Sequence, residues 1–210
     1  MIRVLIADDH AIVRHGLKQI IEDSGEMRVV AEAASGIEAL RRIREHECDV
    51  VLLDISLPDM SGIDVLKQIH SEKPNLPILI LSIYPEDQYA SRLIKAGAAG
   101  YLTKESAPPE VIGALQRVAG GKKYISPAVA EILANEISDP EEKLPHQTLS
   151  DREYQIFLLL ASAKTVTEIA DTLALSVKTV STYRTRILDK MHLDNNAELM
   201  RYAVDHDLTQ

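Results

Sequence analysis

Two short runs in this chain, VVLL at 50–53 and ILIL at 78–81, are apolar at every position. A strand with one wet face alternates apolar and polar residues, so an unbroken run demands burial on both faces. The two lie inside the longer segments DVVLLD (49–54) and PILILS (77–82). Three further runs, IRVLIA (2–7), MRVVAEA (27–33) and AGYLT (99–103), look like companion strands. Between the runs, apolar residues recur at helical spacing: Ile12, Leu17, Ile20 and Ile21 within 11–22, Ile37, Leu40 and Ile43 within 37–44, and Val111, Leu115 and Val118 within 110–119. Five strands alternating with five helices predict an α/β fold, a doubly wound parallel (βα)5 domain over residues 1–121.

In an open parallel sheet, ligands bind at the carboxyl ends of the strands. Here those ends are polar: Asp8-Asp9 after the first run, Asp54 after the third, Ser82 after the fourth and Thr103-Lys104 after the fifth. Adjacent carboxylates repel unless something positive lies between them. Three acids on one rim favour a hard divalent cation with oxygen ligands, Mg²⁺ first. With the acids neutralised, one carboxylate can act as a nucleophile toward phosphorus and form an aspartyl phosphate. Lys104 and the Ser82 hydroxyl would then contact the phosphoryl oxygens. Each residue alone has a plainer reading, as a strand-end cap, a solvated lysine or a turn serine, and it is their convergence that argues for chemistry. His10, beside the acids, is read as the solvent-side start of the first helix.

The DD pair, LLDISLPDMSGID (52–64), LS (81–82) and KAGAAGYLTK (95–104) resemble, in that order, a response-regulator receiver domain. The resemblance covers essentially all of 1–121. It implies phosphoryl transfer from a phosphohistidine on a sensor histidine kinase to Asp54. It also implies Mg²⁺ held by Asp9, by Asp8 directly or through water, by Asp54 and by the backbone carbonyl of Ser56. Ser82 and Tyr101 occupy the positions whose rearrangement transmits the signal, although Tyr101 fits core packing equally well. Pro58, Met60 and Gly62 shape the loop after the acceptor, Gly62 being expected to supply a backbone angle that other residues resist.

From Gly120-Gly121 the pattern changes. Residues 122–147 are expected to form a linker with one helix over 127–137, followed by the proline- and charge-rich SDPEEKLPHQ. Residues 148–210 show no strand pattern. A capping box at Ser150–Glu153 opens one helix, Thr165–Glu168 starts a second to about Leu173, Ser176 caps a third over 177–191, and Asn195 or Asn196 a fourth through Ala203. A short turn over 172–176 gives the second and third a helix-turn-helix layout.

On the third helix, Val177, Val180, Ile187, Leu188 and Met191 can face a core, leaving Lys178, Ser181, Thr182, Arg184, Thr185 and Arg186 opposite. Hydroxyls that read base edges and cations that take phosphates suit the DNA major groove, against the plainer reading of a solvated amphipathic face. The stretch over 148–205 resembles the helix-turn-helix of LuxR/NarL-type regulators. That resemblance implies base contacts from Ser181, Thr182 and Thr185. It implies backbone contacts from Lys178, Thr179, Arg184 and Lys190, with Thr165 and Thr167 at the start of the scaffold helix and a dimer contact around 197–203. Two residues depart from the pattern. Ala163 stands where Gly is usual and must either accept a left-handed angle or remodel the turn. Tyr183 replaces a His and shifts a phosphate contact.

The two resemblances together imply a NarL/FixJ-class response regulator, a DNA-binding switch and not an enzyme. Phosphorylation would alter the face of the fourth and fifth helices, free the small domain and promote homodimers on double-stranded promoter DNA. A Mg²⁺-dependent phosphohydrolase is the contrasting class, but it ordinarily pairs its acids as Asp-x-Asp after one strand. A receiver whose helical block binds protein is a third. The net charge of −9 argues against a general nucleic-acid coater. The lone Cys48, the lack of a signal-peptide pattern and the lack of a membrane-length apolar run fit a cytoplasmic protein.

Overall fold

The computed structural model describes residues 1–138, 144–173, 175–206 and 208, and the chain divides into two units, Met1–Ile137 and Ser138–Gln210. In the first unit β1 (Ile2–Ala7), β2 (Met27–Ala33), β3 (Val50–Asp54), β4 (Ile78–Ser82) and β5 (Gly100–Thr103) alternate with five helices. These are α1 (Ala11–Asp23), α2 (Gly36–Glu45), α3 (Gly62–Glu72), α4 (Glu86–Lys95) and α5 (Pro108–Ala119). Every strand pairing is parallel, in the order β2-β1-β3-β4-β5, the doubly wound sheet that the apolar runs demand. The strand order reverses between β1 and β3, which opens a crevice above their carboxyl ends.

β3 and β4 are buried at every position. One face, with Val4, Ile6, Val50, Leu52, Leu79, Leu81 and Leu102, packs on Leu17 and Ile21 of α1 and on Val111, Leu115 and Val118 of α5. The alternate residues, among them Leu5, Val51, Leu53 and Ile80, are equally buried and point to the opposite face. β3 starts at Val50, one residue after Asp49, whose carboxylate accepts the Arg3 N–H at 2.8 Å and its Nε–H at 3.1 Å.

After α5 the chain returns to the sheet. The Tyr124 N–H donates to the Ala99 carbonyl at 2.8 Å and Tyr124 bridges Gly100, so the segment read as linker begins along the edge of β5. Helix α6 (Pro127–Ser138) follows, as its apolar pattern predicts. The SDPEEKLPHQ segment falls partly outside the described residues, and its last three residues, with Thr148 after them, form one 3₁₀ turn (Pro145–Thr148).

The second unit is built from α7 (Asp151–Ala161), α8 (Val166–Thr172), α9 (Val177–Met191) and α10 (Asn196–Asp205). Helix α7 is its centre, buried all round from Glu153 to Ala161. Ser150, Thr165, Ser176 and Asn195 cap the four helices in turn, each accepting the N–H three residues on. The turn between α8 and α9 includes Ala174, which lies outside the described residues. Val177 departs from the sequence reading. It stands in the first turn of α9, half exposed at 49%, while Val180, Ile187, Leu188 and Met191 form the buried stripe.

Ala163 takes the left-handed angle, with φ 60°. The turn is a Schellman motif, in which the Lys164 N–H reaches the Leu159 carbonyl and the Ala163 N–H the Leu160 carbonyl, both at 3.1 Å. That motif fixes the angle whatever the side chain, so alanine carries its steric penalty. Ala163→Gly should therefore stabilise the second unit by about 1 kcal/mol, the left-handed cost of an L-residue less the extra entropy glycine loses. The check is hydrogen exchange of the α7 amides together with the urea midpoint. Slower exchange and a higher midpoint are expected; no change would mean the turn is not strained.

Candidate functional site

Strand register brings the rim together. Ala7 pairs with Leu53, so the residues that follow, Asp8 and Asp54, emerge side by side. Ser82 pairs with Thr103, which sets Lys104 just beyond them. Asp8 and Asp54 are buried and Asp9 is exposed. The Lys104 Nζ lies 2.6 Å from Asp8 Oδ2 and 2.7 Å from Asp54 Oδ2. Burial raises the Asp54 carboxyl above the ordinary range, against the pull of Lys104 and of the Ser56 N–H, which donates to Asp54 Oδ1 at 3.0 Å. Burial also works against the Lys104 ammonium, but Asp54 and Asp8 outweigh it and hold its pKa above the usual lysine value.

The other Asp8 oxygen, Oδ1, accepts the His10 N–H at 2.8 Å, and Arg14 Nη1 donates to the Asp8 carbonyl at 2.6 Å. His10 is the N-cap residue of α1, as expected, and its exposed ring sits with Nδ1 2.6 Å from Asp9 Oδ1. Carboxylate oxygens of Asp8, Asp9 and Asp54 and a ring nitrogen of His10 lie within 4.8 Å of one another. Apart from its contact with Lys104, Asp8 Oδ2 is buried without a hydrogen bond. A concentrated set of carboxylate oxygens fits a hard divalent cation.

Gly62 does not adopt a positive φ; it is the first residue of α3. Its requirement is close approach, because a Cβ there would lie 2.4 Å from the Asp54 carbonyl oxygen and from the Ile55 Cα. Ser82 is buried at the end of β4, its Oγ accepting the Tyr84 N–H at 3.1 Å and its carbonyl the Lys104 N–H at 2.7 Å. Tyr101 is buried in the core and also bonded, its hydroxyl donating to the Tyr84 carbonyl at 2.6 Å. Burial pushes its pKa well above the ordinary tyrosine range. Tyr84 thus touches both switch candidates through its main chain. Nothing in the sequence marks it, or Arg14 or Asp59, because main-chain partners leave no residue-type signature.

On α9, Lys178, Ser181, Thr182 and Thr185 stand at i, i+3, i+4 and i+7, and all four are exposed, forming one stripe with Arg186 beside it. Thr182 and Thr185 donate back to the carbonyls of Lys178 and Ser181 at 3.0 and 3.2 Å, leaving each hydroxyl oxygen open as an acceptor. Thr179 bonds the Ser176 cap, and Tyr183 is half-buried. Thr165 is committed to a capping box with Glu168, and Thr167 is exposed on the first turn of α8. Two of the expected DNA contacts are engaged inside the unit. Arg184 Nε donates to Asn196 Oδ1 at 2.6 Å, and Lys190 Nζ lies 2.7 Å from the buried Glu153 Oε2.

Residues 4–116 match the response regulator receiver domain, and residues 147–203 match bacterial regulatory proteins of the luxR family. Response regulator GacA of Pseudomonas viridiflava is 39% identical over 209 residues, 99% of this chain and 98% of its own length. Response regulator UvrY of Escherichia coli K12 is 38% identical over 99% of this chain and 96% of its own. Among solved structures, a Salmonella typhimurium RcsB response regulator studied for conformational dynamism in DNA interaction aligns with TM-score 0.72 at 27% identity, covering 100% of this chain and 98% of that one. RcsB of Salmonella enterica serovar Typhimurium bound to promoter rprA with the phosphomimetic BeF₃⁻ aligns with TM-score 0.63 at 28% identity, covering 96% and 97%.

Two outcomes follow from the charges. Lys104→Met leaves Asp8 and Asp54 facing each other with no counter-charge, so the metal-free chain should lose roughly 2–4 kcal/mol, somewhat below the cost of breaking a fully buried pair. Added Mg²⁺ should raise its melting temperature more than that of wild type; equal shifts would show that the ammonium does not screen the pair. For Glu153, burial favours the neutral acid, but Lys190 and the Ser150 N–H outweigh it and hold the carboxyl below its usual value. Its contribution is therefore present above the unfolded pKa, about 4.3, and is lost as pH falls through the lower folded value. Lys190→Met should cost about 1–2 kcal/mol at neutral pH and flatten that acid limb. An unchanged pH profile of the urea midpoint would contradict the pairing.

Proposed function

Because the chain belongs to the NarL/FixJ class of two-component response regulators, in which a receiver is joined to a LuxR-type DNA-binding domain, we propose that it is a transcriptional regulator whose binding to promoter DNA is controlled by phosphorylation of Asp54. The observation that carries this reading is the Lys104 ammonium set between the buried carboxylates of Asp8 and Asp54. A carboxylate held beside a fixed cation at a strand end can attack phosphorus and then have its phosphoryl oxygens matched by that cation. A sensor histidine kinase is the donor. An Asp54 oxygen forms the new P–O bond while the P–N bond to the donor's imidazole breaks, its electron pair remaining on nitrogen.

Asp8, Asp9, Asp54 and the Ser56 carbonyl would hold Mg²⁺, which when bound neutralises the acids and the charge of the incoming phosphoryl group. Ser82 and Lys104 bind phosphoryl oxygens. Ser82 and Tyr101 meet at Tyr84, through its N–H and its carbonyl, so a shift of the Ser82 hydroxyl toward phosphate is coupled to the β4–α4 loop. In the second unit, Ser181, Thr182 and Thr185 read bases, and Lys178 and Arg186 take phosphates. Thr165, Thr167, Thr179 and Tyr183 add further contacts to the DNA. The chain binds as a homodimer when phosphorylated or on DNA, a reading supported by a solved structure of two RcsB dimers bound to two parallel DNAs. Among the described residues no helix is long and apolar enough to cross a membrane.

With acetyl phosphate and Mg²⁺, wild type should take up one phosphoryl group and Asp54→Ala none. Asp9→Ala, whose side chain is exposed, should stay folded and lose both Mg²⁺ binding and phosphate uptake. Normal uptake in either variant would refute the assignment. Lys178→Ala should weaken promoter binding and lower the slope of log K against log salt by about 1. An unchanged slope would point to a helical unit that binds protein instead.

A further inference from the structure

The loop that leaves Asp54 is tied down by an acid that phosphoryl transfer does not use. Asp59 Oδ1 accepts the Gly36 N–H at 2.7 Å and Oδ2 accepts the Ile37 N–H at 3.0 Å. These are the first two N–H groups of α2, on an element that lies earlier in the chain. Helix α2 already carries its own cap, since Ser35 Oγ accepts the Glu38 N–H at 3.2 Å and the Ser35 carbonyl accepts the Ala39 N–H at 2.9 Å. Asp59 takes the remaining two donors, one of them on the buried Gly36, which would otherwise be left unsatisfied.

A second observation comes from the helix side. A Cβ at Gly36 would meet Val65 Cγ2 at 2.8 Å and Met60 Cβ at 2.9 Å, so the loop rests directly on the α2 backbone. The far end of the loop is fixed as well, by the Gly62 N–H on the Ile55 carbonyl at 3.0 Å. Ser56 hangs between these anchors, and its N–H holds Asp54 Oδ1. A loop ordered before its ligand arrives does not have to be ordered on binding.

We propose that Asp59 is a positioning residue for the phosphoacceptor: by clamping the loop to the N-terminus of α2 it holds Ser56, and through Ser56 the Asp54 carboxylate, in the arrangement that receives Mg²⁺ and phosphate. The proposal rests on the assignment of Asp54 as acceptor. It gives α2, which contributes no residue to the rim, a share in the affinity of the site.

The test is calorimetric titration of the full chain with Mg²⁺, alongside phosphate uptake from acetyl phosphate as a function of Mg²⁺ concentration. Asp59→Ala should weaken Mg²⁺ binding roughly tenfold, the usual effect of removing an outer support of a metal site. The Mg²⁺ concentration for half-maximal uptake should rise in step, with a smaller change in the rate at saturation. Gly36→Ala keeps the carboxylate but displaces Met60, and should weaken Mg²⁺ in the same way. Asp59→Asn, with one acceptor oxygen left, should fall between. Glu38→Ala is the control: it removes the acceptor of the Ala34 N–H, 3.0 Å away at the same helix end, and should lower the melting temperature without moving Mg²⁺ affinity. If Asp59→Ala and Gly36→Ala behave like Glu38→Ala, with lower melting temperatures and wild-type Mg²⁺ affinity, Asp59 is a helix cap only and the proposal is overturned. Should Asp59→Ala not fold, Asp59→Asn decides on the same criterion. A wild-type chain that binds Mg²⁺ but takes no phosphate on Asp54 would overturn the proposed function, while the Mg²⁺ affinities still decide the role of Asp59.

Discussion

One ammonium, that of Lys104, allows two buried carboxylates to stand on adjacent strands. Oxygens of Asp8 and Asp54 come within 4.8 Å of each other, a separation at which like charges repel by roughly 3–4 kcal/mol at an effective dielectric near 20. The sheet is arranged so that this repulsion is met. β1 beside β3 delivers the acids, and β4 beside β5 delivers Ser82 and Lys104 at the same height. Below the rim β3 and β4 are apolar and buried throughout, which keeps the strand ends in fixed register. The strained electrostatics of the rim therefore depend on a core that shares none of their chemistry.

Much of this is legible in the amino-acid sequence alone. Unbroken apolar runs at 50–53 and 78–81 require a sheet covered on both faces, and polar residues at the ends of several such runs can only meet on one rim. What the sequence did not carry was contact between backbones. Gly62 was expected to supply an unusual angle, whereas its need is for space against the Asp54 carbonyl. Ala163 posed two alternatives, and the Schellman bonds at the end of α7 select the left-handed one. Asp59 lies in the loop after the acceptor, but its partners are the N–H groups of α2, which no residue type announces.

The same limit applies to the helical unit. Counting cations along α9 gives a basic face, but two of them are already paired with residues of other helices. Lys190 serves the buried Glu153 of α7, and Arg184 holds Asn196 at the start of α10. What remains on the exposed stripe is Lys178 with three hydroxyl residues, with Arg186 alongside. A surface with few cations and several hydroxyls suits recognition in which base contacts matter beside a modest phosphate term, on a protein whose total charge of −9 opposes indiscriminate binding.

The central claim is that one acyl phosphate, on Asp54, sets the affinity of the second unit for DNA. The most direct measurement follows promoter affinity in samples whose phosphorylated fraction is fixed and whose modified residue is located by mass spectrometry after borohydride reduction of the acyl phosphate. The account predicts that the phosphate maps to Asp54 alone and that affinity rises with the phosphorylated fraction. Affinity that stays constant while Asp54 goes from unmodified to fully phosphorylated would contradict it.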